Sequence, residues 1–426
     1  MINSMLDLWL MLPKHFHYGW VIAIVGACIQ SAHALSVYSF GVFLRPITLE
    51  FGWERGALSI AASLAGVEMG FLAIITGKLC DKFGPRVLVT FSGIVLGTAF
   101  LLMTQIDSLW QVYLFWGVGM GTAASCSVVP ILSTIPRWFA QKRGMAISIT
   151  VTGFGLGAMI SPLLAQLLIS SYGWRQSFMI LGIVAWIIII PLAQLMKQNP
   201  EQMGLRPYGE LEDTVDKEAE DPKQGFTFKE ALKTGPFWIF VSIQALWFFC
   251  LQTIVVHITP HAVDIGIPEI TAASILAFVA GSSVAARFSM GFVSDKLGSR
   301  LALSLCLVLS TLALLWLLFT SEVWAFYIFA VLFGLAYGGF IPLLTVVPSE
   351  LFGIRSLGVI LGALILCSHI GSAAGAPLSG YIFDTTGSYR LALIILVVLS
   401  AMATILSMVL LRYRMISKEV PLDIIE

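Results

Sequence analysis

Twelve times along this chain an apolar run recurs at about the twenty residues a helix needs to cross the hydrocarbon core of a bilayer. The runs read 18–44, 56–77, 86–105, 110–134, 144–170 and 175–196, then 236–263, 270–294, 301–320, 323–349, 356–383 and 389–411. Of its 426 residues 58% are hydrophobic and only 11% charged, whereas a soluble domain carries about 25% charged residues. Such a chain cannot cover itself with a hydrated surface, so the fold expected is an all-α membrane protein whose surroundings are a lipid bilayer. Glycine and proline recur within the runs, which predicts tilted or kinked helices around a cavity.

The one extended polar stretch, Lys197 to Lys233, carries Glu210, Glu212, Asp213, Asp216, Glu218, Glu220 and Asp221. It predicts three parts: a six-helix bundle over 1–196, a solvated linker over 197–235, and a second six-helix bundle with a short tail over 236–426. Basic residues crowd the side that carries the linker: Lys14, Lys78, Lys82, Arg86, Arg137, Lys142, Lys296, Arg300 and Arg355 among them. The opposite loops hold Arg45, Arg55, Arg175 and Arg390. Because basic loops stay cytoplasmic during insertion, both termini and the linker are expected in the cytoplasm. Met1 to His17 does not read as a cleaved signal, since its lysine follows the apolar run. The six cysteines stand singly in apolar stretches and read as packing residues.

The two halves repeat. Gly77-Lys-Leu-Cys-Asp81-Lys82-Phe-Gly84-Pro-Arg86 returns as Gly291-Phe-Val-Ser-Asp295-Lys296-Leu-Gly298-Ser-Arg300, 214 residues later at each matched position. The same offset pairs Pro46 with Pro260, Glu50 with Asp264, Gly52 with Gly266 and Gly173 with Gly387. Parallel six-helix repeats are the plan of transporters that rock two halves about a midplane site. The duplicated motif resembles the signature loop of the major facilitator superfamily, which implies twelve transmembrane helices in two pseudo-symmetric six-helix bundles. The resemblance also implies a conformational latch built on Asp81, Arg86, Asp295 and Arg300. The plainer alternative is that both aspartates simply end helices.

Three further stretches resemble the monocarboxylate transporter and oxalate/formate antiporter branch of that superfamily. They are Tyr18-Gly19-Trp20, the junction from Arg137-Trp138-Phe139 to Lys142-Arg143-Gly144-Met145-Ala146, and Ser274 to Phe278 running on to Val284-Ala-Ala-Arg287-Phe-Ser289-Met290-Gly291. Animal members carry an aspartate four residues before the arginine of the last stretch, where this chain has Ser283. A proton partner is therefore expected elsewhere.

Ionisable residues at membrane depth are costly and usually functional. Arg287 lies eight residues before Asp295, about 12 Å along a helix and near the midplane. Its planar, permanently charged fork matches a carboxylate; the alternative is a structural arginine neutralised by a buried acid or a helix end. His369 is the second expected substrate contact, placed where the antiporter resemblance implies a lysine, and it could instead carry the proton. Glu68, deep in the second span, is the other candidate for proton coupling, and a Glu68–His369 pair is conceivable at the interface of the halves. Tyr38 and Tyr337 each offer an aromatic body with a hydroxyl able to orient a small carboxylate. His33, His257, His261 and Trp247 are lesser candidates, since aromatic residues on helix faces more often pack.

The function expected is secondary active transport of a small carboxylate such as lactate, pyruvate or formate, coupled to a proton and working by alternating access in a cell inner membrane. The alternatives are antiport of an oxalate-like dicarboxylate against a counter-anion, and a sensor built on a transporter fold. No nucleophile with its base, no His-Glu-x-x-His and no ATP-binding loop occurs in the sequence, and Gly117 to Gly121 follows no strand and precedes no lysine. An enzyme is not expected, nor a cofactor, a metal or a nucleic-acid partner, and the net charge of zero adds nothing in favour of the last. The transporter is expected to work as a monomer.

Overall fold

A computed structural model describes residues 17–209, 225–353 and 356–413. Among them the chain is helical nearly throughout. Helix α1 runs Tyr18–Phe51 with an interruption at Ser39, α2 is Arg55–Phe83, α3 Pro85–Met103 and α4 Leu109–Trp138. A single stretch, Arg143–Ala193, then spans 51 residues, about 76 Å if straight and too long for one crossing. It breaks at Gly173, whose φ of 78° and ψ of 164° are not helical, and so supplies both α5 (143–172) and α6 (174–193). The second half comprises α7 (Gly235–Asp264), α8 (Glu269–Leu297), α9 (Ser299–Leu318), α10 (Val323–Phe352), α11 (Leu357–Thr386) and α12 (Arg390–Leu410). All twelve expected spans are present.

The signature motifs explain where α2 and α8 end. Both run past the expected span limits of 77 and 294, because Lys78, Asp81 and Lys82 in one and Lys296 in the other can stay helical once outside hydrocarbon. They stop at Gly84 and Gly298, whose φ values of 79° and 86° favour glycine.

The repeat is also visible in packing. A Cβ at Gly157 would lie 2.2 Å from the Ser31 carbonyl oxygen, and one at Gly371, 214 residues on, would lie 2.2 Å from that of Ala245. The α1–α5 and α7–α11 crossings are thus the same backbone-close contact made twice. Each half encloses its own core, one around Phe43, Phe100, Trp116, Trp138 and Phe178, the other around Phe240, Trp247, Phe326, Phe333 and Phe340. Tyr38 and Ala34 of α1 belong to the second core and Val256 of α7 to the first, so the cores meet where α1 and α7 cross. The outside is inverted relative to a soluble protein: Phe71, Ile187, Leu312 and Ile405 are all more than half exposed, as a lipid-facing belt requires.

The described ends of the linker are held against the bundles rather than fully solvated. The Tyr208 N–H donates to the Trp138 carbonyl at 2.9 Å, and the Phe226 N–H donates to that of Phe352 at 2.8 Å. Met203, Leu205 and Tyr208 pack on the first core, which gives this polar stretch an apolar reason to dock. Positions 210–224, with most of the acidic run, lie outside the described residues.

Candidate functional site

Arg287 stands half-buried on α8 where three other helices converge. Its guanidinium lies over the Tyr337 ring of α10, 5.4 Å from the centroid. The Tyr337 hydroxyl in turn hydrogen-bonds that of Tyr38 on α1 at 2.8 Å, across the two halves. From the other side α5 approaches at Gly155, whose added Cβ would lie 3.7 Å from a terminal nitrogen of Arg287 and 2.5 Å from Val284. The structure therefore brings together three of the expected substrate contacts: Arg287, Tyr38 and Tyr337.

What the cluster lacks is negative charge. Among the described residues the ion pairs are Arg45–Glu269, Arg55–Asp264, Arg137–Asp81 and Arg175–Glu50, and none includes Arg287. Its Nε is buried with no hydrogen-bond partner among the described residues. A structural arginine neutralised by a buried acid is not what these residues form. Ser283, four residues before Arg287, is buried and returns its hydroxyl to the Ala280 carbonyl of its own helix at 2.7 Å.

His369 and Glu68 lie elsewhere. His369 on α11 packs its ring against α2, 3.7 Å from the Cβ positions of Gly66 and Gly70, and its Nδ1 meets the Ile365 carbonyl at 2.8 Å. Glu68, two residues from each of those glycines, turns toward α4 instead. Its Oε1 accepts from the Thr122 hydroxyl at 3.5 Å, and a Cβ at Gly121 would lie 2.6 Å from the Glu68 Cβ. The helix of α4 widens just before this contact into a π-helical stretch, Tyr113–Gly119, a distortion often found at functional sites. No Glu68–His369 hydrogen bond or ion pair forms among the described residues, and neither side chain touches the Arg287 cluster.

Three of the four expected latch residues, Asp81, Arg86 and Arg300, bond within their own halves. Asp81 pairs with Arg137 at 2.8 Å. Arg86 donates to the Gln194 side chain, at the end of α6, at 2.7 Å, and Arg300 donates to the carbonyls of Leu410, at 3.3 Å, and Tyr413, at the end of α12. The two repeat-related arginines thus tie the third helix of each half to its sixth. The Asp295 side chain lies outside the described residues. Of the lesser candidates, His33 bonds Ser92 at 2.8 Å inside the first half, and Trp247 stacks on Phe340 at 4.1 Å.

The principal polar feature that the sequence did not disclose lies at the end of the molecule away from the linker. Arg55 at the start of α2, its side chain only 9% exposed, forks onto both carboxylate oxygens of Asp264 at the end of α7. It also lies 4.0 Å over the Phe383 ring and donates to the Tyr389 hydroxyl at 3.1 Å. Tyr389 reaches on to His257 Nδ1 at 3.0 Å, while His257 Nε2 meets the Ala376 carbonyl at 2.8 Å and Ser59 at 3.3 Å. The Tyr389 hydroxyl thus serves Arg55 and His257 together.

The profile of the Major Facilitator Superfamily matches residues 26–300 and again 262–423. This chain belongs to that superfamily. Facilitator relatives include monocarboxylate transporter 13 of Bos taurus, 28% identical over 394 residues that cover 90% of this chain and 87% of that one. Another is the uncharacterized MFS-type transporter YhjX of Escherichia coli K12, 24% identical over 369 residues, with 85% and 88% covered. The facilitator fold is matched by the inward-facing, occupied structure of a bacterial homolog of the human lysosomal transporter Spinster. That likeness has a TM-score of 0.75 at 16% identity and covers 92% of this chain and 96% of that one. The chain is a membrane-spanning transporter of this superfamily, and its homologues and fold are those of transporters rather than enzymes.

Proposed function

We propose that the protein carries a small monocarboxylate, lactate, pyruvate or formate in kind, together with a proton and by alternating access. The single observation that carries this reading is Arg287: a half-buried cation between the halves, without an acid partner among the described residues and with an orphaned donor. Leaving a charge and its donors uncompensated at membrane depth costs several kcal/mol, and a bound carboxylate supplies both the charge and the acceptors. The monocarboxylate transporters among the relatives support the same class. One cation beside two tyrosine hydroxyls suits one carboxylate, while His369 sits apart against α2.

Alternating access is supported by where the halves are tied. Arg55–Asp264 and Arg45–Glu269 join them at the end opposite the linker, the end expected to face away from the cytoplasm if the basic loops mark the inside of a bacterial inner membrane. The proton is assigned to Glu68, with His369 as the other candidate.

The test is counterflow of labelled lactate, pyruvate, formate and oxalate into proteoliposomes by the parent and by Arg287→Gln. Uptake should fall to background in the variant and rise as external pH is lowered in the parent. Undiminished uptake by Arg287→Gln would make the arginine structural and end the carboxylate reading.

A further inference from the structure

We propose that Trp247 touches the substrate, its indole N–H giving a second hydrogen bond to the carboxylate that Arg287 anchors; this rests on the carboxylate reading above. Trp247 is fully buried on α7. Its ring stacks on Phe340 at 4.1 Å and 19°, is braced edge-on by Phe248 at 5.3 Å, and lies 5.9 Å from Tyr337. Tyr337 is the residue whose ring carries the Arg287 guanidinium and whose hydroxyl holds Tyr38. Trp247 and Arg287 therefore both lie against the Tyr337 ring.

The indole nitrogen of Trp247 is buried without an acceptor among the described residues. Other indole N–H groups of the chain do find one: Trp138 donates to the Lys197 carbonyl at 2.9 Å, Trp174 to Glu50 at 2.7 Å and Trp186 to the Ile94 carbonyl at 3.1 Å. Trp316 and Trp238 likewise reach carbonyls. Burying a donor unpaired is costly, and native structures leave few such groups. Here two donors, Trp247 Nε1 and Arg287 Nε, are orphaned around the same tyrosine. A carboxylate has two oxygens and about four acceptor positions, so one acid bound beside Tyr337 would carry an acceptor for each. The stack on Phe340 fixes the indole plane before the acid arrives, so little ordering remains to oppose binding.

The experiment measures binding of lactate, pyruvate, formate and benzoate to the purified full-length protein by calorimetry, for the parent, Trp247→Phe and Arg287→Gln. Phenylalanine keeps an aromatic ring on Phe340 and removes the donor together with part of the indole's bulk. Loss of one hydrogen bond to a charged group should weaken the best-bound acid roughly tenfold. As a readout that needs no variant, the parent labelled with [15N]indole tryptophan should show one indole N–H signal moving downfield on addition of the acid.

Equal affinity in Trp247→Phe together with unmoved indole signals overturns the role of Trp247, and if Arg287→Gln still abolishes binding the carboxylate reading stands. Affinity that survives Arg287→Gln but falls in Trp247→Phe sinks the arginine anchor and keeps the indole as a ligand. A parent that binds none of the four acids overturns both.

Discussion

The carboxylate of Asp384, near the end of α11, caps the first turn of α2 in the opposite half. Its two oxygens accept from the backbone N–H groups of Arg55 at 3.0 Å and Gly56 at 2.7 Å. These are donors that a helix start leaves without internal partners, at the end of the helix dipole that favours an anion. The cap needs close approach: a Cβ at Gly380 would lie 2.6 Å from the Gly56 Cα. Since the cap joins the two halves, it would stabilise one state of the proposed alternating-access cycle and not the other.

Asp384→Asn should therefore loosen this end without unfolding either bundle. A helix cap contributes about 1 kcal/mol, which corresponds to a roughly fivefold shift in the balance between closed and open states. Thr259, buried at the crossing of the halves, can report it as Thr259→Cys in a background free of the native cysteines. A membrane-impermeant thiol reagent added from the far side should modify that position about fivefold faster when Asp384 is replaced. Equal labelling rates would show that the cap does not hold the closure.

The twelve spans, the repeat and the offset of 214 could be read directly from the chain because membrane depth and internal duplication leave periodic marks in sequence. Arg287 could be read for a related reason, since a charge inside an apolar run stands out. The Arg55–Asp264–Asp384 network could not. Each of those residues sits at a span end, where charge is ordinary, and their partners are separated by 209 and 329 positions. The only hint was the pairing of Glu50 with Asp264 in the repeat, and the halves use these acids differently: Glu50 meets Arg175 within its own half. The direction of Glu68 was hidden as well. Helical spacing places it on α2, yet whether it turns toward α4 or α11 depends on Gly121 giving it room on one side and on His369 filling the other.

The Tyr38–Tyr337 hydrogen bond links the halves within the arginine cluster itself. A carboxylate bound at Arg287, as proposed, would compete for the same hydroxyls. Tyr38→Phe and Tyr337→Phe should each raise KM for the preferred acid several-fold through the lost hydrogen bond, with a smaller change in kcat. The double variant should cost less than the sum of the two singles, because each removes the partner of the other. Initial-rate uptake in proteoliposomes gives the cycle, and strict additivity would argue that the two hydroxyls do not act as a unit.

Glu68 is the proposed proton carrier, and its contact with Thr122 is a long 3.5 Å hydrogen bond. Replacing the carboxyl by an amide removes the titrating group while keeping the shape. Glu68→Gln should abolish the stimulation of net uptake by external acid, yet leave exchange of labelled for unlabelled substrate at constant pH within about twofold, the separation expected when the acid must lose its proton before the empty carrier can return, a step that exchange bypasses. Thr122→Val, which removes the hydroxyl donor but no charge, should preserve the acid stimulation. A Glu68→Gln protein with the parent's pH dependence would move the proton role to His369 or to the substrate itself.

Gly155 sets the distance between α5 and α8 beside the anchor. An added Cβ would meet a Val284 methyl at 2.5 Å while lying 3.7 Å from the Arg287 fork. The obstruction is the tip of a side chain rather than backbone, so the crowding can be relieved from the other helix. Gly155→Ala alone should force Val284 or the helices aside and displace the guanidinium from its place over Tyr337, lowering kcat/KM about tenfold, as small misplacements at reacting or binding centres do. Adding Val284→Ala restores the room and should recover most of that loss, although Val284→Ala by itself brings no gain. Uptake rates of the four proteins form the cycle that checks it. Recovery in the double variant would tie the spacing of α5 and α8 to the position of Arg287, whereas a persistent defect would mean that glycine is needed at 155 for backbone bending during rocking.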